Sequence, residues 1–117
     1  MEQSLVEHEN YIVELWEENA YQNVMYERAL VEVEGDKEAW KAQWLARQLY
    51  IRHTTKQIYK AVHKAHDMLE KVETLYLEVI PTGKNGQRLV NFLKKARNHY
   101  EQVKAFYEYN CNMLNNV

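Results

Sequence analysis

From Lys37 to Ile80 the chain runs without a single Gly or Pro. Within that stretch Ile51, Thr55, Ile58, Val62, Ala65, Leu69, Val72, Tyr76 and Val79 alternate steps of four and three residues. Such steps hold apolar side chains on one stripe of an α-helix and match the heptad seam through which helices supercoil. A strand cannot use the pattern, because its side chains change face at every residue. One helix of this length, about 65 Å at 1.5 Å per residue, sets the long dimension of whatever the chain builds. Its one soft point is Thr54-Thr55, although β-branching alone seldom ends a helix.

The flanking segments read as two shorter helices. Ser4-Leu5-Val6-Glu7 has the form of a capping box, which places a helix start near Leu5. Glu34-Gly35-Asp36 ends that helix, with Gly35 expected in the left-handed conformation and Asp36 capping the next helix. Pro81-Thr82-Gly83-Lys84-Asn85-Gly86 holds the only Pro and two of the three Gly and marks a second loop. Beyond it Leu89, Leu93, Ala96, Tyr100, Val103, Tyr107, Asn110 and Leu114 form a seam, flanked by Phe92, His99, Phe106 and Met113 at intervals of seven. With 117 residues there is enough chain for one core. The expected fold is all-α: one domain over 1–117, an antiparallel three-helix bundle with heptad seams, helices about 5–33, 37–80 and 87–115, and a long central helix. The alternative is a four-helix bundle, formed if helix two bends near Thr54-Thr55.

Charge is distributed in blocks of alternating sign. Residues 1–36 hold ten acids against Arg28, and residues 37–66 hold seven bases against Glu38; then 67–79 are net acidic and 80–117 net basic, for −2 overall. Folding about Gly35 sets Glu17 and Glu18 at the level of Arg52 and Glu9 at that of Lys60. Folding about the second loop sets Glu78 near Arg88, Glu73 near Lys94 and Glu70 near Arg97. Exposed pairs contribute about 0–1 kcal/mol each, so the blocks choose register more than they stabilise. A second use of the bases is a stripe for phosphates: Arg52, Lys56, Lys60 and Lys64 on helix two, with Lys94, Lys95 and Arg97 on helix three.

Helix three, at about 42 Å, cannot span helix two. The tip of the first hairpin, about residues 20–50, is therefore two helices thick, yet it carries Tyr21, Val24, Met25, Leu30, Trp40, Trp44, Leu45 and Leu49. Two helices cannot bury all of these, and exposed aromatics of this kind anchor protein interfaces. Tyr21, Met25, Trp40, Trp44 and Leu45 are the expected interface residues, for a second copy of the chain or for another protein. Polar seam residues Gln48, Thr55 and Asn110 suit a specific association, since they fix register at a cost in stability.

Catalytic constellations are scarce. Arg47-Gln48-Leu49-Tyr50-Ile51-Arg52-His53 is similar to the Arg, four to six residues, His spacing of the HEPN ribonucleases, which are all-helical; the resemblance implies ribonuclease chemistry at Arg47 and His53. Gln48 stands where that family favours Asn, Asp or His, and Arg97-Asn98 has the follower but meets His99 too soon. His63, His66 and Asp67 have helical spacing for a shared metal but lack the Glu-x-x-His pairs of di-iron bundles, so neither metal nor cofactor is expected. Gly83-Lys84 lacks the spaced Gly and the Ser or Thr of a phosphate loop. The lone Cys111 permits no internal disulfide, and no run approaches 18 apolar residues, so a cytoplasmic chain without membrane contact is expected. Of the tyrosines that suit base stacking, Tyr59, Tyr76, Tyr100, Tyr107 and Tyr109, three lie on seams. The expected function is a non-enzymatic, oligomeric protein-interaction module, such as an adaptor, an assembly factor or an inhibitor of the kind phages and other mobile elements encode. Nucleic-acid binding through the basic stripe is the second expectation.

Overall fold

A computed structural model describes residues 2–79 and 86–115. These form three helices, α1 (Glu2–Glu32), α2 (Lys37–Val79) and α3 (Gly86–Asn115). α1 and α3 run parallel, since pairs across them keep one offset: His8 with His99, Asn19 with Asn110. α2 runs against both, setting Tyr59 beside Tyr107 and His66 beside Tyr100. The molecule is a rod of 69 × 20 × 15 Å.

α2 spans that rod without a break, so the bent four-helix alternative is not formed. The Thr pair is absorbed into the helix: Thr54 Oγ1 donates to the Tyr50 carbonyl at 3.0 Å and Thr55 Oγ1 to the Ile51 carbonyl at 2.7 Å. Each hydroxyl thereby satisfies itself one turn back and competes for no amide of the ladder.

The first turn departs from expectation at both ends. α1 is already helical at Glu2, which puts Ser4 inside the first turn rather than at a cap. Gly35 does not take a left-handed backbone, and a Cβ there would meet open space. The chain instead tightens, with Glu34 N donating to Val31 O at 3.3 Å and Asp36 N to Val33 O at 2.9 Å. Asp36 does cap α2: its Oδ1 accepts from the amides of Glu38 and Ala39, both at 3.2 Å. The second loop lies outside the described residues except for Gly86, which opens α3.

Two apolar clusters hold the rod. The lower one joins Leu5 to Leu69, Val72, Leu89, Phe92 and Ala96; the middle one joins Ile58, Ala61, Ala65, Val103 and Phe106, with Ile12 and Leu15 against it. Burying a side chain such as Ile58 or Phe106 contributes about 1.5–3 kcal/mol. On α3 the fully covered positions are Leu89, Phe92, Ala96, His99, Val103, Phe106 and Asn110, while Leu93, Tyr100, Tyr107 and Leu114 are half-buried. The flank of the sequence pattern is thus part of the buried seam, because α3 faces two helices at once. Phe92, His99 and Phe106 turn to α1; Tyr100 and Tyr107 turn to α2.

Across the second loop the expected levels hold, since the register of Tyr59 with Tyr107 and His66 with Tyr100 also sets Glu78 level with Arg88, but about Gly35 they shift, with Asn23 rather than Glu17 or Glu18 level with Arg52, and the pairs differ. Between helices, the ion pairs among the described residues are Glu2–Arg88 at 3.2 Å and Glu27–Arg47 at 3.8 Å. Glu2 takes Arg88, the base that the sequence matches to Glu78. No helix among the described residues is long and apolar enough to cross a membrane.

Candidate interaction surface

α3 ends beside the middle of the hairpin. Its α1 offset puts Leu114 at the level of Asn23, and its α2 register puts the same residue at the level of Arg52. Beyond that level α1 and α2 continue alone to the turn, and no residue from 20 to 50 is buried. Asn19 and Ile51, one step below, are the last covered positions.

The five residues expected at an interface all lie on this tip. Tyr21 is 60% exposed and Leu45 56%; Met25 and Trp40 are exposed, and Trp44 is half-covered. Trp40 and Trp44, one turn apart, stack with ring centroids 6.5 Å apart and planes at 16°. Val31, at 70% exposed, and Leu49, at 64%, extend the apolar area. The hairpin is held inwardly by Tyr26 against Tyr50, centroids 5.8 Å apart, and by Tyr50 Oη donating to the Glu18 carbonyl at 3.5 Å. Burial pushes the Tyr50 hydroxyl pKa up.

Polar side chains gather where α3 stops. Asn19 Nδ2 donates to Asn110 Oδ1 at 3.3 Å, but Asn19 Oδ1, Asn110 Nδ2, Asn23 Oδ1 and Arg47 Nε have no hydrogen-bond partner. Buried polar groups left so cost about 1–3 kcal/mol each. A second polar step lies about two turns from the start of α1, where His8 Nδ1 and His99 Nε2 are 2.6 Å apart and both rings are buried. Desolvation, then His99 and Lys64, push the His8 pKa down to about 4; desolvation also lowers that of His99. Neither step is legible in α1 as an apolar pattern. The signal is the spacing through Leu5, His8, Ile12, Leu15 and Asn19, a regular seam with polar residues at two of its positions.

The basic residues are solvent-facing but spread out. Arg52, Lys56, Lys60 and Lys64 are all exposed, yet steps of four residues drift by about 40° each, so the row winds around α2. Lys60 and Lys64 border a groove of about 490 Å³ shared with Glu7, His8 and Tyr11 of α1. Lys56 and Lys60 border another, of about 430 Å³, with Tyr59 and Tyr107. On α3, Lys95 shares a groove with Glu2 and Glu9. Lys94 and Arg97 are exposed at other angles around the helix.

The remaining candidates do not converge. Arg47 pairs with Glu27, whereas His53 is exposed about 120° further around α2. His63 sits edge-on to Tyr59, centroids 4.5 Å apart, and is not among the donor atoms that approach one another. His66, Asp67 and Glu70 bring three such atoms within 4.8 Å on an open helix face, an arrangement exposed acids adopt without a metal. No protein-family model matches the chain, and comparison with curated proteins and with solved structures finds no significant match.

Proposed function

We propose that this chain is a protein-interaction module whose docking surface is the tip of the α1–α2 hairpin. The supporting observation is that residues 20–50 include none that is buried, although they carry Tyr21, Met25, Val31, Trp40, Trp44, Leu45 and Leu49. A two-helix ribbon without a core is marginal alone, because most helical stability comes from packing an apolar face. Trp and Tyr anchors ringed by Glu and Lys have the composition of a recognition patch. Such a module joins or blocks other proteins without chemistry of its own.

Hydrogen exchange tests this role. Amides of 20–50 are expected to exchange fast in dilute chain and to become protected when the surface is occupied, while Ile58 and Val103 stay protected throughout. Protection of the tip in dilute monomer equal to that of the middle would refute it.

One observation favours a second function, binding of single-stranded nucleic acid. Half-exposed Tyr59 leans on Tyr107, centroids 5.7 Å apart, with Lys56 and Lys60 on the same groove, which supplies a stacking ring beside cations. Titration with labelled single strands at two salt concentrations checks it. Salt-independent or undetectable binding at micromolar chain removes it.

A further inference from the structure

The groove that α3 fills does not end where α3 ends. Stepping the α3-facing positions upward by seven carries Trp16 to Asn23 and Leu30 on α1, Ile58 to Ile51 and Trp44 on α2, and Val62 to Thr55 and Gln48. Past the end of α3 the same two walls run on for about 18 Å to the turn, with Leu30, Trp44 and Leu45 half-covered or exposed between them. We infer that this open part of the groove is closed by the tip of a second copy, in an antiparallel two-fold dimer whose overlapping tips form a four-helix bundle. The inference rests on the tip being a docking surface and says what docks there.

Three observations select a second copy in that orientation. The surface continues an interface the chain already makes, so an apolar helical pair fits it in the same heptad register. α3 occupies the groove below Asn23 in each copy. Two copies pointing the same way would bring their α3 helices into collision, whereas antiparallel copies set each tip against the end of the other's α3. The turn of each copy, with Glu34, Asp36 and Glu38 against Lys37, then lands at the level of Arg52 of the other, where same-way copies would place two acidic turns together. The two-fold axis falls midway between Asn23 and Gly35 on α1, near Leu30, and crosses α2 near Trp44 and Leu45.

Cysteine cross-linking in a Cys111→Ser background, read beside light-scattering mass, tests the arrangement. Leu45→Cys, at an exposed site near the axis, is expected to form a disulfide-linked dimer under mild oxidation. Glu34→Cys is expected not to, because its two copies stand about 15 Å apart along the rod. Mass is expected to be that of two chains, and Leu45→Glu with Trp44→Glu to return it to one with helix content kept. Cross-linking at both cysteine sites means copies aligned the same way and overturns the inference. A monomer at all concentrations overturns it too, but leaves the docking role intact if occupancy by another protein protects 20–50. A dimer indifferent to both Glu substitutions removes the inference and the docking role together.

Discussion

Acidification is expected to weaken the rod well above the range in which carboxylates titrate, and the cause is the His8–His99 pair. At 2.6 Å one ring nitrogen donates and the other accepts, so the pair is satisfied when both rings are neutral. A first proton leaves that bond in place, since an imidazolium still donates to its neutral partner, but it sets a positive charge in a buried site beside Lys64, with Lys60 and Glu7 on the same groove, and a second proton puts two donors face to face. A base whose folded pKa is lowered binds fewer protons folded than unfolded. Its stability is therefore complete above the unfolded value near 6.5 and is lost as pH falls toward the folded value. With His8 at about 4, the loss for that ring alone is about 2 kcal/mol by pH 5 and about 3 kcal/mol below pH 4. Lowering of the His99 pKa adds in the same direction. Urea unfolding followed by circular dichroism should show the midpoint falling by about 1 M between pH 7 and 5. The Glu2 carboxylate, held below its usual range by Arg88, loses its contribution only below pH about 4.5, outside that window. A midpoint flat from pH 7 to 5 would refute the reasoning. So would an unchanged pH slope in the His8→Leu/His99→Leu pair.

The other Asn step is expected to respond asymmetrically. Asn19→Leu with Asn110→Leu should raise the urea midpoint, because two amides that each leave an atom unpaired are removed together, whereas Asn110→Leu alone should lower it by stranding Asn19. Phe106→Ala should cost about 3–5 kcal/mol, since the ring is 2% exposed and packs edge-on to Trp16 at 4.7 Å; the same assay reads it. At the turn, Asp36→Ala should cost about 1 kcal/mol through loss of the cap on Glu38 and Ala39. Gly35→Ala should be neutral or stabilise by about 0.4–1 kcal/mol, as its backbone is ordinary and its surroundings open.

What the sequence disclosed depended on whether the signal was periodic or chemical. The uninterrupted stretch from Lys37 onward predicted α2 to within a residue, and the unequal helix lengths predicted a tip without a core. Asp36 was legible as a cap because capping needs a side chain of that kind at that place. Gly35 misled, since the turn closes through amides that any residue supplies. Thr54-Thr55 left a bend open because back-bonding to carbonyls one turn earlier leaves no mark on the apolar pattern. The assignment of α3 faces needed a third helix: Phe106 and Tyr107 are equally apolar by sequence, and only α1 decides which is fully covered. On the tip, the exposure of Tyr21, Trp40 and Leu45 followed from counting layers. His8 and Asn19 were missed because polar residues hide a seam from an apolar search.

Parallel helices with heptad seams are prone to slide past each other by a whole repeat, since apolar rungs seven apart are interchangeable. α1 carries the means to prevent this. Displaced by one repeat in either direction along α3, the His8 imidazole would face Phe92 or Phe106 instead of His99 and lose its only hydrogen bond. A shift that moves Asn19 back one repeat sets its amide against Val103. The two polar rungs therefore act as a vernier: they add little adhesion, but they allow α1 a single axial position. Because α1 forms one wall of the tip groove, that position also decides which residues stand opposite Trp44.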